Sequence, residues 1–234
     1  MNKKKYTIAQ ILPALNTGGV ERGVVEISKS LIENDFKSIV ISSGGHMVSQ
    51  ITRNGGIHYE LDVHSKNPLR WSKIRNQLKI ILESENVDLI HFCSRAPAWI
   101  GVPLGATLDI PIITSVHMRF RKSNFLKKYY NSILIRGNSI IAISKHIEES
   151  IKNSFPKESN KIKIIHRGVD LDLFNPSKIN PARIIAQSKH LNLKDNVPVI
   201  IMAARPAMWK GYQVLIRALS KVKYDFQCVF IGAG

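Results

Sequence analysis

The chain has 234 residues, of which 44% are hydrophobic and 22% charged; this suits a soluble globular protein of one large domain or one and a half ordinary ones. No apolar run approaches the roughly 18–20 residues of a membrane-spanning helix. The basic start Met1-Asn2-Lys3-Lys4-Lys5 is followed by Gln10, Pro13 and Asn16 rather than by the apolar run and small-residue site of a secretory leader, so a cytoplasmic location is expected. The net charge of +17 calls for an anionic counterpart: nucleic acid, a membrane surface or an anionic substrate. Twelve Lys/Arg against four Asp/Glu lie between His117 and Asp170, so the excess is concentrated there. Cys93 and Cys228 belong to no CxxC or Cys/His spacing and are expected to be reduced structural thiols.

In chain order, short β-branched runs alternate with amphipathic segments. Strands are predicted at Thr7–Leu12, Ser38–Ser42, His58–Leu61, Asp88–Phe92, Ile112–Val116, Ser139–Ile143 and Lys161–Ile165. After the first strand, Val20, Val24, Ile27 and Leu31 recur at helical spacing, and further helices are predicted at Trp71–Glu83, Pro97–Leu108 and Lys145–Ser154. Nearly all-apolar strands alternating with helices indicate a parallel sheet covered on both faces, a doubly wound Rossmann-like α/β domain. This domain is expected to span 1–170. A connector over 171–196 follows, with Asn175-Pro176, Asn180-Pro181 and a helix near Ala182–His190. Alternation then resumes over 197–234: a strand at Val199–Ala203, a helix over Gly211–Lys221 with Val214, Leu215, Ala218 and Leu219 inward, and a strand at Phe226–Ile231. One strand–helix–strand unit cannot bury both faces of its own sheet. A second domain is therefore expected to have begun and to lack about 100–150 residues.

The turn Asn16-Thr17-Gly18-Gly19-Val20 leads from the first strand into the first helix, at the carboxyl end of the sheet where such folds bind ligands. Its paired glycines would let backbone approach a ligand, and the helix N-terminus offers free N–H groups to an anion. It matches neither the dinucleotide fingerprint nor the P-loop. A tight turn with no ligand is the alternative. The equivalent turn of the second unit, Arg205-Pro206-Ala207-Met208-Trp209-Lys210-Gly211, places two cations between a strand and a helix. A planar guanidinium, an ammonium and a helix dipole together suit a diphosphate; a solvated loop is the bland reading. His117, at the end of the fifth strand, is a candidate to orient a sugar hydroxyl or exchange a proton, or is simply structural. Past it, Arg119, Arg121, Lys127 and Lys128 interleave with Phe120, Phe125, Tyr129 and Tyr130. This segment reads as a buried helix face of Phe125, Tyr129 and Ile133 with the neighbouring Leu126, Tyr130 and Leu134 and a solvated basic side, as a membrane or lipid-carrier contact, or as a nucleic-acid surface.

Taken in order, several short stretches carry a resemblance. They are Leu12 to Gly23, Ser94-Arg95-Ala96-Pro97-Ala98-Trp99, Ile141-Ala142-Ile143-Ser144, Arg167-Gly168-Val169-Asp170 through Phe174, Ala204-Arg205 through Lys210-Gly211, and Phe230-Ile231-Gly232. With them the chain resembles the retaining glycosyltransferases of the GT-B fold, family 4, especially bacterial enzymes of lipopolysaccharide and capsule assembly. The resemblance implies a complete N-terminal Rossmann-like domain on the acceptor side and the first β-α-β unit of a second one that binds the donor. It implies that Arg205 and Lys210 hold the diphosphate of a nucleotide-sugar donor, that the Gly18-Gly19 loop approaches the same phosphates, and that His117 lies near the transferred sugar. A hexosyl or N-acetylhexosaminyl group would pass with retention to a glycolipid or polysaccharide acceptor, with no metal and no cofactor beyond the nucleotide diphosphate sugar itself. Stabilising charge on the leaving group would be the protein's main task.

Two departures stand out. This chain has His117-Met118 where family members often have His-Gly. The family's acidic pair, two glutamates separated by seven intervening residues that contact donor sugar and ribose, has no counterpart here. The chain alone is therefore expected to be inactive, as a split gene completed by a separate chain or as a decayed copy. Peripheral contact with the cytoplasmic face of the inner membrane is expected, and no nucleic-acid partner. The alternative is a non-catalytic basic module that docks on an anionic membrane or nucleic acid.

Overall fold

The computed structural model describes residues 5–65, 67–120 and 125–232. It divides into two compact units, residues 1–170 and 171–234.

The first unit is built on a seven-stranded sheet. Its strands are β1 (Thr7–Ile11), β2 (Lys37–Ser42), β3 (Ile57–Glu60), β4 (Leu89–Phe92), β5 (Ile112–Val116), β6 (Ser139–Ala142) and β7 (Ile162–Ile164), in the order β3-β2-β1-β4-β5-β6-β7. Every neighbouring pair is parallel. The helices are α1 (Gly19–Glu33), α2 (Val48–Arg53), α3 (Pro68–Ser84), α4 (Arg95–Leu108), α5 (Phe125–Asn131) and α6 (Lys145–Ser154). This is the doubly wound Rossmann-like α/β architecture expected. The strands match the predicted runs to within a residue at either end, because both faces are apolar. α2 had no counterpart in the expectations: six residues rich in Ser, Thr and Gln carry no helical periodicity.

Alternation along the strands sorts the core into two layers. Ala9, Ile11, Ile39, Ile41, Ile90, Phe92, Ile112 and Ile140 share one layer with Leu78 and Leu82 of α3, Ile100 and Leu104 of α4, and Ile147 and Ile151 of α6. Leu12, Leu15, Val40 and Cys93 share the other with Val24 and Val25 of α1 and Ile51 of α2. The sheet order reverses between β1 and β4, which leaves a crevice at the carboxyl ends of those strands. In α1 the buried residues are Val24, Val25 and Ser28, and the Ser38 hydroxyl donates to Ser28 Oγ at 2.8 Å. Ile27, expected inside, is 42% exposed. The helix is thus rotated from its predicted setting.

Gln10 of β1 is fully buried with neither side-chain amide atom partnered among the described residues. In register it stands opposite His91 of β4.

The second unit contains α7 (Pro181–His190), β8 (Val199–Ala203), α8 (Tyr212–Leu219) and β9 (Gln227–Ile231), with β8 and β9 parallel. Tyr212 donates its hydroxyl to the Ala204 carbonyl and stacks on Phe230 with ring centroids 5.3 Å apart. In α8, Leu215 and Leu219 are half-buried as expected, whereas Val214 is 73% exposed and Ala218 is also exposed. The two-stranded sheet offers too little surface to cover the rest.

Candidate functional site

The site in the first unit starts from the β1–α1 turn. Gly18, before the first turn of α1, is extended (φ 177°, ψ 166°), a backbone that any residue adopts. What glycine leaves here is room for two neighbouring side chains. A Cβ on Gly18 would run into the Glu21 carboxylate, and one on Gly19 would lie 2.7 Å from Arg167 Nη1. Glu21 thereby supplies a negative charge at the positive end of α1.

The turn is braced from below by the β2–α2 loop. Leu15 N–H donates to the Gly44 carbonyl at 2.7 Å, and Met47 N–H donates to the Leu15 carbonyl at 3.0 Å. Gly45 lies against this contact with φ 135°, and a Cβ there would sit 2.5 Å from the carbonyl carbon and oxygen of Leu15. Gly45 is thus a conformationally required glycine beside the turn, whereas the sequence pattern draws attention to Gly18 and Gly19.

Beside α1 lies a cavity of about 500 Å³. Val20, Val24 and Ile27 line one side, His91, Ser115, His117 and Ile141 another, and the segment 165–170 a third. Residues of β4, β5 and β6 point here because they share the sheet face that α1 covers only in part. The segment after β7 is tied to α1 at both ends: Arg167 Nη1 donates to the Gly19 carbonyl, and Lys29 Nζ lies 3.8 Å from the Asp170 carboxylate.

His117, just past β5, accepts at Nδ1 from Arg167 Nη2 at 2.9 Å. Its Nε2 is sheltered and has no partner among the described residues. Burial, then the positive Arg167, then His91 push its pKa down to about 4, so the ring is neutral near pH 7. His91 is buried on β4, with Nε2 2.7 Å from Ser115 Oγ, and burial likewise lowers its pKa to about 4. Burial pushes the Cys93 thiol up to about 12, which leaves it protonated and inert. No cluster of three His, Cys, Asp or Glu suited to a metal is present among the described residues.

Arg205 and Lys210 belong to the second unit. Arg205 follows β8, Lys210 ends the short 3-10 turn Met208–Lys210, and Gly211 takes a left-handed backbone (φ 85°) to open α8. Both cations are exposed, and neither side chain makes an ion pair or hydrogen bond among the described residues. Of the basic–aromatic segment, Arg119 is exposed, Lys127 and Lys128 lie on α5, and Arg121 falls outside the described residues. Ile133 and Leu134 are buried, but Phe125, Leu126, Tyr129 and Tyr130 are not; Phe125 is 79% exposed. The expected buried helix face therefore stops short of α5.

Arg167 and Ser115 were not singled out by any role in the sequence. Arg167 lies in one of the stretches that carry the resemblance, but nothing local to it indicates a reach across the sheet to Gly19 and His117.

A sequence model described as Glycosyltransferase Family 4 matches residues 17–173. Spore coat protein SA of Bacillus subtilis (strain 168) is 24% identical over 221 residues, 92% of this chain and 56% of its own length. A glycosyltransferase from Rickettsia africae ESF-5 has a solved structure that superposes with a TM-score of 0.85 at 36% identity, over 98% of this chain and 61% of that one. The Anabaena protein HepE, solved in complex with UDP and glucose, superposes with a TM-score of 0.79 at 16% identity, over 96% of this chain and 60% of its own; at that identity the likeness is one of fold. The chain spans 56% to 61% of the length of these relatives.

Proposed function

Because the chain belongs to glycosyltransferase family 4, we propose that it forms part of an enzyme that transfers a hexosyl or N-acetylhexosaminyl group from a nucleotide diphosphate sugar. The observation that carries this reading is the turn from β8 to α8, where Arg205 precedes a short 3-10 turn and Lys210 ends it, their charges unpaired among the described residues. Charge-assisted donors placed there, with the N-terminus of α8, suit the two phosphates of a leaving nucleoside diphosphate. The Anabaena fold neighbour, solved with UDP and glucose, supports a nucleotide sugar as donor. Retention of configuration, a lipopolysaccharide- or capsule-type acceptor, a site free of metal, and no transfer by these 234 residues alone complete the proposal. The Gly18-Gly19 turn and His117 are assigned to the donor's phosphates and sugar, and Arg119, Arg121, Lys127 and Lys128 to acceptor or membrane contact.

Calorimetric titration of the chain, fused to the remaining C-terminal residues of its Rickettsia africae relative, tests this with UDP, GDP and ADP. At least one diphosphate should bind, and Arg205→Ala or Lys210→Ala should weaken it roughly ten- to a hundredfold, the cost of a lost charge-assisted bond. Absence of binding by all three sinks the reading.

A second reading, peripheral membrane contact, is favoured by α5. Phe125 and Leu126 are 79% and 71% exposed, beside Lys127 and Lys128. No helix among the described residues is long and apolar enough to cross a membrane, so contact would be at the surface. Sedimentation with phosphatidylglycerol vesicles should fall when Phe125 and Leu126 are both changed to Ala; unchanged sedimentation, or none in the wild type, rejects it.

A further inference from the structure

We propose that Arg167 is a positioning residue that fixes the tautomer of His117, so that His117 meets its ligand as an Nε2–H hydrogen-bond donor and not as a proton acceptor. A guanidinium carries five N–H donors and no acceptor. With Arg167 Nη2 2.9 Å from His117 Nδ1, that nitrogen must present its lone pair. The ring is neutral, because burial and the adjacent cation both oppose a second proton. Its one proton therefore sits on Nε2, at the opposite edge of the imidazole. That atom is withdrawn from solvent and has no partner among the described residues, while the ring lines the cavity beside α1. A sheltered donor of this kind is costly unless it is matched.

Arg167 is itself held. Its second terminal nitrogen donates to the Gly19 carbonyl, so the guanidinium spans from the β1–α1 turn to the end of β5. The same contact accounts for Gly19: a methyl group there would lie 2.7 Å from Nη1 and displace the fork. Gly19, Arg167 and His117 thus act in series, the first making room for the second and the second orienting the third.

The consequence for recognition is specific. The atom that pairs with Nε2–H must be an acceptor with a free lone pair, which in a nucleotide sugar is offered by a sugar hydroxyl, a ring oxygen or a phosphate. The ring cannot also take up the proton of an acceptor hydroxyl, because one nitrogen is engaged by Arg167 and the other is already protonated. His117 is therefore a recognition group and not the general base. This ligand assignment rests on the donor-sugar reading above, but the tautomer does not.

Long-range 1H–15N correlation spectra of the 234-residue chain, labelled at histidine, test the tautomer at pH 7.5. His117 is identified by the resonances lost in His117→Gln. The expected pattern is a protonated, pyrrole-like Nε2 and a bare, pyridine-like Nδ1. A protonated Nδ1, or averaged shifts from a mixture, overturns the proposal without reference to any variant. In Arg167→Met, and independently in Gly19→Ala, the single tautomer should give way to a mixture; a purely structural Arg167 would leave it unchanged, and that result also overturns the proposal. Nucleoside diphosphate binding through Arg205 and Lys210 is read by calorimetry, so either idea can fail while the other stands.

Discussion

Arg167 and His117 lie fifty residues apart in the chain, yet Nη2 of one stands 2.9 Å from Nδ1 of the other. The contact joins the end of β5 to the segment that follows β7, and it leaves a cation beside a ring that is already largely withdrawn from water.

That environment predicts a particular response to acid. His117 and His91 both have native pKa values of about 4, against 6.5 for an unperturbed ring. Between these values the unfolded chain binds more protons than the native one, so stability falls as pH drops from about 6.5 to about 4 and levels off below. Each ring contributes up to about 3 kcal/mol of this loss. Denaturant unfolding across that range should show the slope, and His117→Gln with His91→Gln should flatten it. A pH-independent midpoint in the wild type would contradict both assignments.

Gly45, and not Gly18, is the glycine whose replacement should damage the fold. Its φ of 135° is closed to side chains, and a Cβ would meet backbone atoms of Leu15 at 2.5 Å. Gly45→Ala is expected to cost about 2–5 kcal/mol. Gly18→Ala meets only the mobile end of Glu21 and should cost far less, as thermal unfolding of the two variants will show.

Gln10 is fully buried with its amide unmatched among the described residues. A buried polar group without a partner is worse than an apolar group of the same size. Gln10→Met should therefore raise stability by about 1–2 kcal/mol in denaturant titrations. A loss of that size instead would mean that the amide is hydrogen-bonded after all.

The two free thiols should differ in reactivity. Cys93 is buried, with its pKa pushed up to about 12, whereas Cys228 on β9 is only half-buried. Ellman's reagent should label Cys228 in the native protein and Cys93 only on unfolding. Native labelling of Cys93 would show that the layer beneath α1 opens.

Strand positions and the parallel sheet were legible in the sequence because burial on both faces writes itself locally, as continuous β-branched runs in β1, β2 and β5. The turns at Gly18-Gly19 and Arg205–Gly211 were legible for a related reason, since a turn between strand and helix needs particular residues within a few positions of one another. Local pattern fails where the partner is distant. It placed Ile27 inside, but the setting of α1 on its sheet left that residue 42% exposed. It extended a buried face from Ile133 and Leu134 back to Phe125 and Tyr129, which the structure leaves exposed. It gave neither His91 nor Arg167 a role, because neither belongs to a spacing that carries chemistry. Their meaning comes from β4 and β5 lying side by side and from the chain returning after β7 to the start of α1. Periodicity records whether a residue is buried; only the fold decides what it is buried against.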